Sequence, residues 1–297
     1  MKDLIIGAST NYDWDKLKYW VNSINKSGFE GDKVLILFNC DKNTVDKVVA
    51  AGFTVVAVNK DANGNLKYES QLPIHVERFA HIYNHLRNHE YRYVITTDVK
   101  DVIFQQNPID WLEANLISEN LVFSSESILY KNEPWGDNNL LETYGPYLHS
   151  LYRDNVIYNV GVLAGSGTAM RDIAISIFSA CLGKPIPICD QSTFNFMISM
   201  HPYIDTCKYT RSEDGWACQL GTTADPSKIN AFRPHLLEKT PKLIGDMVTT
   251  STGTPYHIVH QYDRVPEWME YFSKKYGTNI TKDTNTGSSP KYFLYNT

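Results

Sequence analysis

Short apolar runs alternate with helix-like patterns over the first hundred residues of the chain. The apolar runs are rich in β-branched residues, which favours strands, and they cover residues 4–6, 34–38, 53–58 and 91–97. Between them, apolar residues recur at helical spacing in residues 15–24, 45–51 and 75–88, and Gly28 and Gly52 end the first two helices. Strands that alternate with helices in this way predict βαβ units and a parallel sheet.

The pattern becomes less regular after residue 105. Strands are indicated at residues 121–124, 157–164 and 257–260, and helices at residues 169–182 and 191–200. We expect these elements to form an elaborated second lobe of the same domain, so that residues 1–277 divide into the halves 1–105 and 106–277. Residues 278–290 have the composition of a linker, and residues 278–297 are therefore interpreted as a polar linker and an aromatic tail of open role.

Composition limits the classes of partner. With 297 residues, 42% of them apolar, the chain can bury a sizeable core. Its formal net charge is -5 and its lysines and arginines are scattered, which excludes a nucleic-acid partner and an anionic membrane surface. The N-terminal apolar run is too short for a signal peptide and no segment is long enough to span a membrane, so we expect a cytoplasmic location. The five cysteines lack zinc-ligand spacing and are expected to be reduced, mostly buried thiols.

Two acidic residues directly follow the fourth predicted strand. Asp98 and Asp101 are three positions apart and would face one cation if the chain turns there. In an open parallel sheet, ligands bind beyond the carboxyl ends of the strands, where this pair is expected to lie. Hard divalent ions prefer such oxygen ligands. The alternative is a strand-to-turn junction with two solvated acids.

A histidine near the far end of the chain is the candidate for a third ligand. His257 and His260 lie on opposite faces if residues 257–260 form a strand, so only one of them points into a given site. We choose His260, which is nearer the strand end, and the alternative is a purely structural histidine. Two carboxylates with one imidazole favour Mn²⁺, with Mg²⁺ as a substitute.

Three further features are candidates for binding or catalysis. The first strand ends in a small polar turn, residues 7–11, where backbone amides can approach a nucleotide, although Ser9 is equally suited to cap a helix. Asp190 is either the N-cap of a predicted helix or an acid in the site, and Asn159 is a polar residue in an apolar strand that must hydrogen-bond. The chain lacks G-x-G-x-x-G and G-x-x-x-x-G-K-[ST], which disfavours dinucleotide oxidoreductases and P-loop phosphotransferases.

Taken in order, these segments resemble the GT-A glycosyltransferases, and most closely their retaining glycogenin-like and galactosyltransferase-like branch, over residues 4–268. The matching segments are Thr10-Asn11 with Trp14 for T-N-x-x-Y, Arg78 on the helix before the acidic strand, residues 94–101 for the strand ending in D-x-D, residues 157–162 for F-N-S-G-V, Asp190-Gln191 for D-Q, and residues 258–260 with 265–268 for V-V-H…K-P-W. The run from Asp98 to Gln105 is also similar to glycosyltransferases of large DNA viruses that infect algae.

Two residues depart from the family pattern. Lys100 occupies the second acidic position of D-x-D, so Asp101 would have to supply the missing carboxylate. Glu267 stands where the family has the lysine of K-P-W, a contact to the diphosphate that Arg264 or Lys100 would have to replace.

The resemblance implies a GT-A fold, a Rossmann-like α/β domain with a mixed, mostly parallel sheet flanked by helices. It also implies a metal-dependent, retaining transfer of a sugar from a nucleoside-diphosphate sugar, such as a UDP-sugar, to a hydroxyl of a glycan or another acceptor. Residues 1–105 would bind the nucleotide, and residues 106–277 the donor sugar and the acceptor.

The same resemblance assigns roles to single residues. Asp98, Asp101 and His260 would hold Mn²⁺, and Asp190 and Gln191 would act in catalysis. The nucleotide and donor contacts would come from Ala8, Ser9, Thr10, Asn11, Trp14, Arg78, Thr97, Val99, Lys100, Asn159 and Arg264.

Two other classes of protein stay open. A sugar-nucleotide pyrophosphorylase would share the α/β lobe and the paired acids, but residues 7–15 lack the basic residue of its phosphate loop. A non-catalytic module would bind a nucleotide sugar or a glycan through the same cleft, and Lys100 in place of an acid favours that alternative. The sequence does not specify the donor sugar, the acceptor or the oligomeric state.

Overall fold

The computed structural model of the protein covers residues 1–70 and 72–278 and the backbone of residues 292–294. The strands are β1 (Lys2–Ser9), β2 (Asp32–Leu37), β3 (Thr54–Ala57), β4 (Tyr91–Thr97), β5 (Val102–Phe104), β6 (Leu121–Leu129), β7 (Val156–Ser166), β8 (Cys207–Thr210), β9 (Ala217–Gln219), β10 (Lys242–Ile244), β11 (Met247–Thr249), β12 (Ile258–His260) and β13 (Tyr292–Leu294). The helices are α1 (Trp14–Lys26), α2 (Lys42–Ala50), α3 (Ile74–Leu86), α4 (Pro108–Asn115), α5 (Pro134–Tyr152), α6 (Gly167–Cys181), α7 (Asp190–Ile198), α8 (Tyr203–Thr206), α9 (Leu220–Thr223), α10 (Ile229–Phe232) and α11 (Pro266–Tyr276).

Eight strands form one central sheet in the order β13-β3-β2-β1-β4-β7-β6-β8. β1 is parallel to β2 and β4, β3 is parallel to β2 and β13, and β6 is parallel to β8. β7 runs antiparallel to its neighbours β4 and β6. The segment from β1 to β4 therefore forms the predicted βαβ units, and the sheet is mixed and mostly parallel, as expected.

Helices cover both faces of this sheet, which explains why its inner strands are apolar almost throughout. Successive residues of a strand point to opposite faces, so Ile5 packs on one side while Leu4 and Ile6 pack on the other. α1 and α2 cover the face of Ile5, with Leu17 in the shared core. α3 and α6 cover the opposite face, with Phe79 in its core.

A second sheet of three strands, in the order β5-β12-β9, follows the acidic turn in the chain. β12 is antiparallel to β5 and parallel to β9. The register places His260 opposite both Val102 and Gln219. The last residues of β12 and β9 therefore lie beside the start of β5, directly after Asp101.

The predicted elements of the first half are confirmed, with ends within three residues of those observed. In the second half, the predicted strands at 121–124 and 157–164 are parts of β6 and β7, and both extend the central sheet. α5 was not predicted, because Gly136, Gly145 and Pro146 interrupt its helical pattern. Gly145 has φ 76° and kinks the helix.

Two interpretations of helix caps are wrong. Ser9 ends β1, and the side chain of Asp13 caps α1 by accepting from the amide of Lys16 (3.1 Å). Asp190 is the first helical residue of α7, and Cys189 occupies the N-cap position. The side chain of Asp190 is thus not the cap of this helix.

The end of the chain adds a strand to the central sheet. β13 lies within the predicted aromatic tail and pairs in parallel with β3, with Phe293 opposite Val56. The linker predicted at 278–290 lies outside the described residues, apart from Thr278.

The remaining expectations about the chain concern its cysteines and its hydropathy. All five cysteines are free and buried, as predicted. In the part of the chain that the structure describes, no helix combines the length and the apolar character needed to cross a bilayer.

Candidate active site

Asp98 and Asp101 lie in the turn between β4 and β5. The amide of Asp98 donates to the carbonyl oxygen of Gly161 on β7 (2.8 Å), which anchors the start of the turn to the sheet. At its end, the carbonyl oxygen of Asp101 accepts from the amide of Gln261 (2.6 Å), the residue that follows β12. The chain therefore turns between the two acids, as a shared site requires.

His260 faces both carboxylates. Its Nε2 lies 3.4 Å from Asp98 Oδ2 and 3.6 Å from Asp101 Oδ1. One ligand atom from each of the three residues lies within 4.8 Å of the other two. His257 is placed elsewhere, with Nδ1 2.9 Å from the carbonyl oxygen of Asn107. The structure thus groups His260, and not His257, with the acids.

A glycine makes this close approach sterically possible. A Cβ at position 161 would lie 2.6 Å from His260 Cε1, 2.7 Å from Asp98 Oδ2 and 2.8 Å from Asn159 Oδ1. These distances are shorter than a carbon atom tolerates. Only glycine at position 161 leaves room for the imidazole of His260 and the carboxylate of Asp98 to approach each other here.

Gln219 fixes the orientation of the His260 ring. Its Oε1 lies 2.6 Å from His260 Nδ1, and its Nε2 donates to Ser124 Oγ at 2.7 Å. Because an amide oxygen only accepts, Nδ1 carries a proton and Nε2 is left to face the acids. The sequence reasoning missed Gln219, although a glutamine between the apolar residues Cys218 and Leu220 was a usable signal.

This donor set fits a divalent cation. Two carboxylate oxygens and one imidazole nitrogen suit Mn²⁺ in particular. Metal-bound histidines also need a partner for their second ring nitrogen, and Gln219 is such a partner here.

Arg78 connects the acidic turn with α7. Its guanidinium donates to Asp98 and also to Asp190 Oδ2, the second bond being 3.2 Å long. Burial by itself would lower the pKa of Arg78, but the two carboxylates raise it above its usual value. Arg78 is thus a buried, permanent positive charge between the acids.

The pKa values of the two carboxyls that Arg78 contacts shift in opposite directions. Burial raises the pKa of Asp190, and the attraction of Arg78 and His75 offsets this only in part. Burial also acts on Asp98, but Arg78 and His260 outweigh it and hold the pKa of Asp98 well below its usual value. Asp98 is therefore ionised throughout the neutral range.

Glu126 is a buried carboxyl that the sequence reasoning missed. Its Oε1 accepts from Asn159 Nδ2 at 2.7 Å and from Gln191 Nε2 at 3.1 Å. Burial raises its pKa, and the bond from Asn159 counteracts the rise. A glutamate inside the run from Leu121 to Leu129 would have signalled it, but the predicted strand ended at residue 124.

Two cavities meet at the acidic turn. The first, of about 220 Å³, lies between the end of β1 and the start of α3. The second, of about 410 Å³, lies between β7, α7 and the starts of α5 and α9. Both cavities are lined by His75, Arg78, Asp98, Asp101 and Arg264.

Most of the residues singled out in the sequence line one of these cavities. Ala8, Ser9, Thr10, Val99 and Lys100 line the first cavity. Asn159, Asp190, Gln191 and His260 line the second cavity. Motifs that are far apart along the chain thus line two adjoining cavities.

Three predicted nucleotide contacts lie elsewhere. Trp14 is buried in the hydrophobic core, whereas Tyr12, two residues earlier in the chain, lines the first cavity. The hydroxyl of Thr97 is buried and accepts from the indole nitrogen of Trp20 at 2.8 Å. Asn11 is exposed at a turn with φ 58° and stands outside the described lining of both cavities. Strand and helix geometry thus directs these three side chains away from the two cavities.

Lys100 and Arg264 place two further cations beside the first cavity. Lys100 Nζ lies 3.0 Å from Asp263 Oδ2, and Arg264 Nε lies 3.5 Å from Asp263 Oδ1. The two basic side chains are 46% and 50% exposed, so both remain accessible to an anionic ligand.

No protein-family model and no curated protein matches the sequence. Among solved structures, the chain is similar to the apo structure of the bifunctional glycosyltransferase WbbM, with a TM-score of 0.60 and 10% identity over 93% of this chain. The matched region spans about half (49%) of the WbbM chain. The chain is also similar to the galactosyltransferase LgtC in complex with donor and acceptor sugar analogues, with a TM-score of 0.52, 13% identity, and coverage of 95% of this chain and 98% of LgtC. The GT-A fold expected from the sequence is thereby confirmed.

Proposed function

We propose that the protein is a glycosyltransferase that uses a UDP-sugar as its nucleoside-diphosphate sugar and moves the sugar to a hydroxyl of an acceptor. The observation that carries the proposal is the position of Asp98, Asp101 and His260 at the junction of two polar cavities. A sugar nucleotide has the same layout, because a cation-binding diphosphate joins its nucleoside to its sugar. The GT-A fold supports this function by analogy.

The first cavity is suited to the nucleoside and the second to the sugar. The end of β1 and the residue after it line the first cavity with Ala8, Ser9 and Thr10, and α3 adds the positive charge of Arg78. In the second cavity, the amide groups of Asn159 and Gln191 would bind the hydroxyls of the donor sugar.

Positive charge around the junction supports departure of the diphosphate. Asp98, Asp101 and His260 would hold Mn²⁺, or Mg²⁺ in its place, which acts as a Lewis acid on the leaving group when bound. Lys100 and Arg264 would add preorganised cations where negative charge develops as the glycosidic bond breaks.

Two buried carboxyl groups line the cavity that is assigned to the donor sugar. Glu126 and Asp190 both line the second cavity, where the oxocarbenium-like centre of the sugar would form. Retention of configuration, which the family resemblance implies, would rely on one of these carboxylates to stabilise that centre on the face opposite the diphosphate. Arg78 holds Asp190 in place for this role (3.2 Å).

Release of UDP from UDP-sugars tests the proposal. We expect the protein to release UDP from at least one of UDP-glucose, UDP-galactose and UDP-N-acetylglucosamine in the presence of Mn²⁺, and chelation to stop the reaction. Asp101→Asn should lower the rate by roughly 100-fold or more, because loss of an outer-shell partner of a metal already costs about 10–100-fold.

Glu30→Gln, an exposed acid outside the described site, is the matched control and should retain the parent rate. A Mn²⁺-dependent rise in melting temperature with UDP but no UDP release would identify a binding module instead. No response to any of these nucleotides, with or without Mn²⁺, would contradict the proposal.

A further inference from the structure

The second cavity extends beyond the groups assigned to the donor sugar. Its inner wall holds Asn159, Asp190 and Gln191, next to the acidic turn. It is also lined by Glu133 and Trp135 at the start of α5 and by Gly221, Thr222, Asp225 and Lys228 in and after α9. In a transfer reaction the acceptor must reach the donor sugar through this second cavity, because the nucleotide occupies the first one.

A tryptophan stands at the opening. Trp135 lines the second cavity, yet it is 53% exposed. It is the second residue of α5, and the first turn of that helix is fixed by Pro134 and by Glu133, whose carboxylate accepts from the amide of Gly136 at 2.6 Å. A large aromatic side chain is therefore held by a rigid helix start with much of its surface open to the cavity and the solvent.

The same cavity is also lined by polar residues that are held in place by hydrogen bonds. Asp225 is 8% exposed, and its Oδ1 accepts from the amide and the hydroxyl of Ser227 at 2.8 and 2.7 Å. Thr222 is tied to the carbonyl oxygen of Glu126 at 2.7 Å. Lys228 adds an exposed cation to this lining. An aromatic surface and fixed hydrogen-bonding groups thus line the same cavity.

From this arrangement we infer that the acceptor is a saccharide whose pyranose ring packs on Trp135 while its hydroxyls bind Asp225. A pyranose has an apolar face of C–H groups and a rim of hydroxyls, so it matches a cavity that is lined by both an aromatic surface and a carboxylate. The C–H groups are weakly positive and are attracted to the negative face of the indole. A small alcohol has no such face. The inference rests on the proposed transferase function, since that function places the donor sugar in the inner part of the cavity.

Binding of the protein to immobilised saccharides tests the inference separately from turnover. The probe is an array of mono- and disaccharides that end in galactose, glucose, mannose or N-acetylglucosamine, measured with UDP and Mn²⁺ present. We expect the parent to bind at least one of these saccharides. Trp135→Ala should weaken this binding about tenfold or more, and Trp135→Phe, which keeps an aromatic ring, should weaken it less.

Two further variants complete the design. Tyr147→Ala removes another exposed aromatic residue of α5, beyond the kink at Gly145, and should bind saccharides like the parent. Asp225→Asn should weaken saccharide binding even if Trp135→Ala fails to fold, which keeps the inference testable.

The rise in melting temperature caused by UDP with Mn²⁺ separates the two proposals. If UDP stabilises the protein but no saccharide binds, or if Trp135→Ala and Asp225→Asn bind like the parent, the acceptor inference is overturned and the donor site stands. If UDP has no effect on the parent, the transferase proposal itself fails.

Discussion

The imidazole of His260 shows how neighbouring residues decide what a side chain can do. Burial would lower its pKa, but the negative charges of Asp101 and Asp98 raise it to about 10. At neutral pH a proton therefore occupies the position between the ring and the two acids. A cation bound there would replace that proton, which is the usual linkage between metal binding and proton release.

Gln219 is predicted to position His260 for metal binding. Gln219→Leu removes the acceptor of the Nδ1–H group, and we expect it to weaken Mn²⁺ binding roughly 10–100-fold. Gln219→Glu keeps an acceptor at the same place and should retain most of the affinity. The free Mn²⁺ signal in electron paramagnetic resonance measures both constants without any need for turnover.

The Ser124→Ala variant tests the second hydrogen-bond partner of Gln219. It removes only Ser124 Oγ, and its Mn²⁺ affinity should lie between that of the parent and that of Gln219→Leu. If Gln219→Leu binds Mn²⁺ as tightly as the parent while the protein remains folded, Gln219 has no positioning role.

Among the elements, the short strands β5, β12 and β9 matter more for the site than their length suggests. Each has three residues, too few for a clear period of two. Their pairing nonetheless brings His260 and Gln219 to the acidic turn from more than a hundred residues further along the chain. The central sheet places Asp98 at the carboxyl end of its inner strand β4, and this small sheet supplies the histidine.

We predict that Gln105, which follows β5, holds the small sheet to β11 and to the residues before β12. Its Nε2 donates to the carbonyl oxygens of Val248 and Tyr256 at 2.9 Å each, and its Oε1 accepts from the amide of Val248 at 2.8 Å. Gln105→Met would remove the bonds from the side chain to the amide of Val248 and to the carbonyl oxygen of Tyr256, whereas the carbonyl oxygen of Val248 would keep its bond from the amide of Tyr256 (3.1 Å). We expect a loss of roughly 2–4 kcal/mol in the free energy of unfolding, measured by urea denaturation.

Gln106→Met is the matched control, because Gln106 is the next residue and is partly exposed. Its free energy of unfolding should stay within about 0.5 kcal/mol of the parent. Equal stability of the two variants would show that Gln105 does not bind these segments together.

The whole molecule is a layered α/β domain in which both faces of the sheet are buried, and such burial changes the titration of enclosed groups. His85, on α3, is 5% exposed, and its Nε2 lies 3.1 Å from the hydroxyl of Tyr91. Burial, aided by the nearby His89, lowers the pKa of His85 to about 4. Between pH 6.5 and 4 the unfolded chain therefore binds a proton at this position that the folded protein does not.

This difference predicts acid destabilisation. Stability falls as the pH falls from about 6.5 to 4, because the unfolded state binds more protons there, and the loss from His85 amounts to about 3 kcal/mol. His85→Gln removes the titrating group. We expect the decrease in unfolding free energy between pH 7 and pH 4.5 to be roughly 2–3 kcal/mol smaller in this variant than in the parent.

His235→Gln, at an exposed position, carries the same substitution and should show the full decrease of the parent. Urea denaturation at the two pH values provides all three curves. If the parent and His85→Gln lose the same free energy, His85 does not contribute to acid destabilisation.

Much of the fold could be predicted from local pattern. The strands and helices from β1 to β4 followed from apolar periodicity and glycine stops, because these signals depend on neighbouring residues alone. Asp98 at the end of β4 followed from the same pattern and from the rule that ligands bind beyond the carboxyl ends of strands. α5 escaped prediction because its glycines and its proline interrupt the helical period.

The composition of the site depended on contacts that no local pattern contains. Trp14 and Tyr12 lie two positions apart, yet the entry into α1 sends one into the core and leaves the other at the cavity. Glu126 and Gln219 acquire a role only through partners on other strands. Local sequence specifies how a segment folds, whereas the register between distant strands, set by packing of the whole chain, specifies which side chains meet.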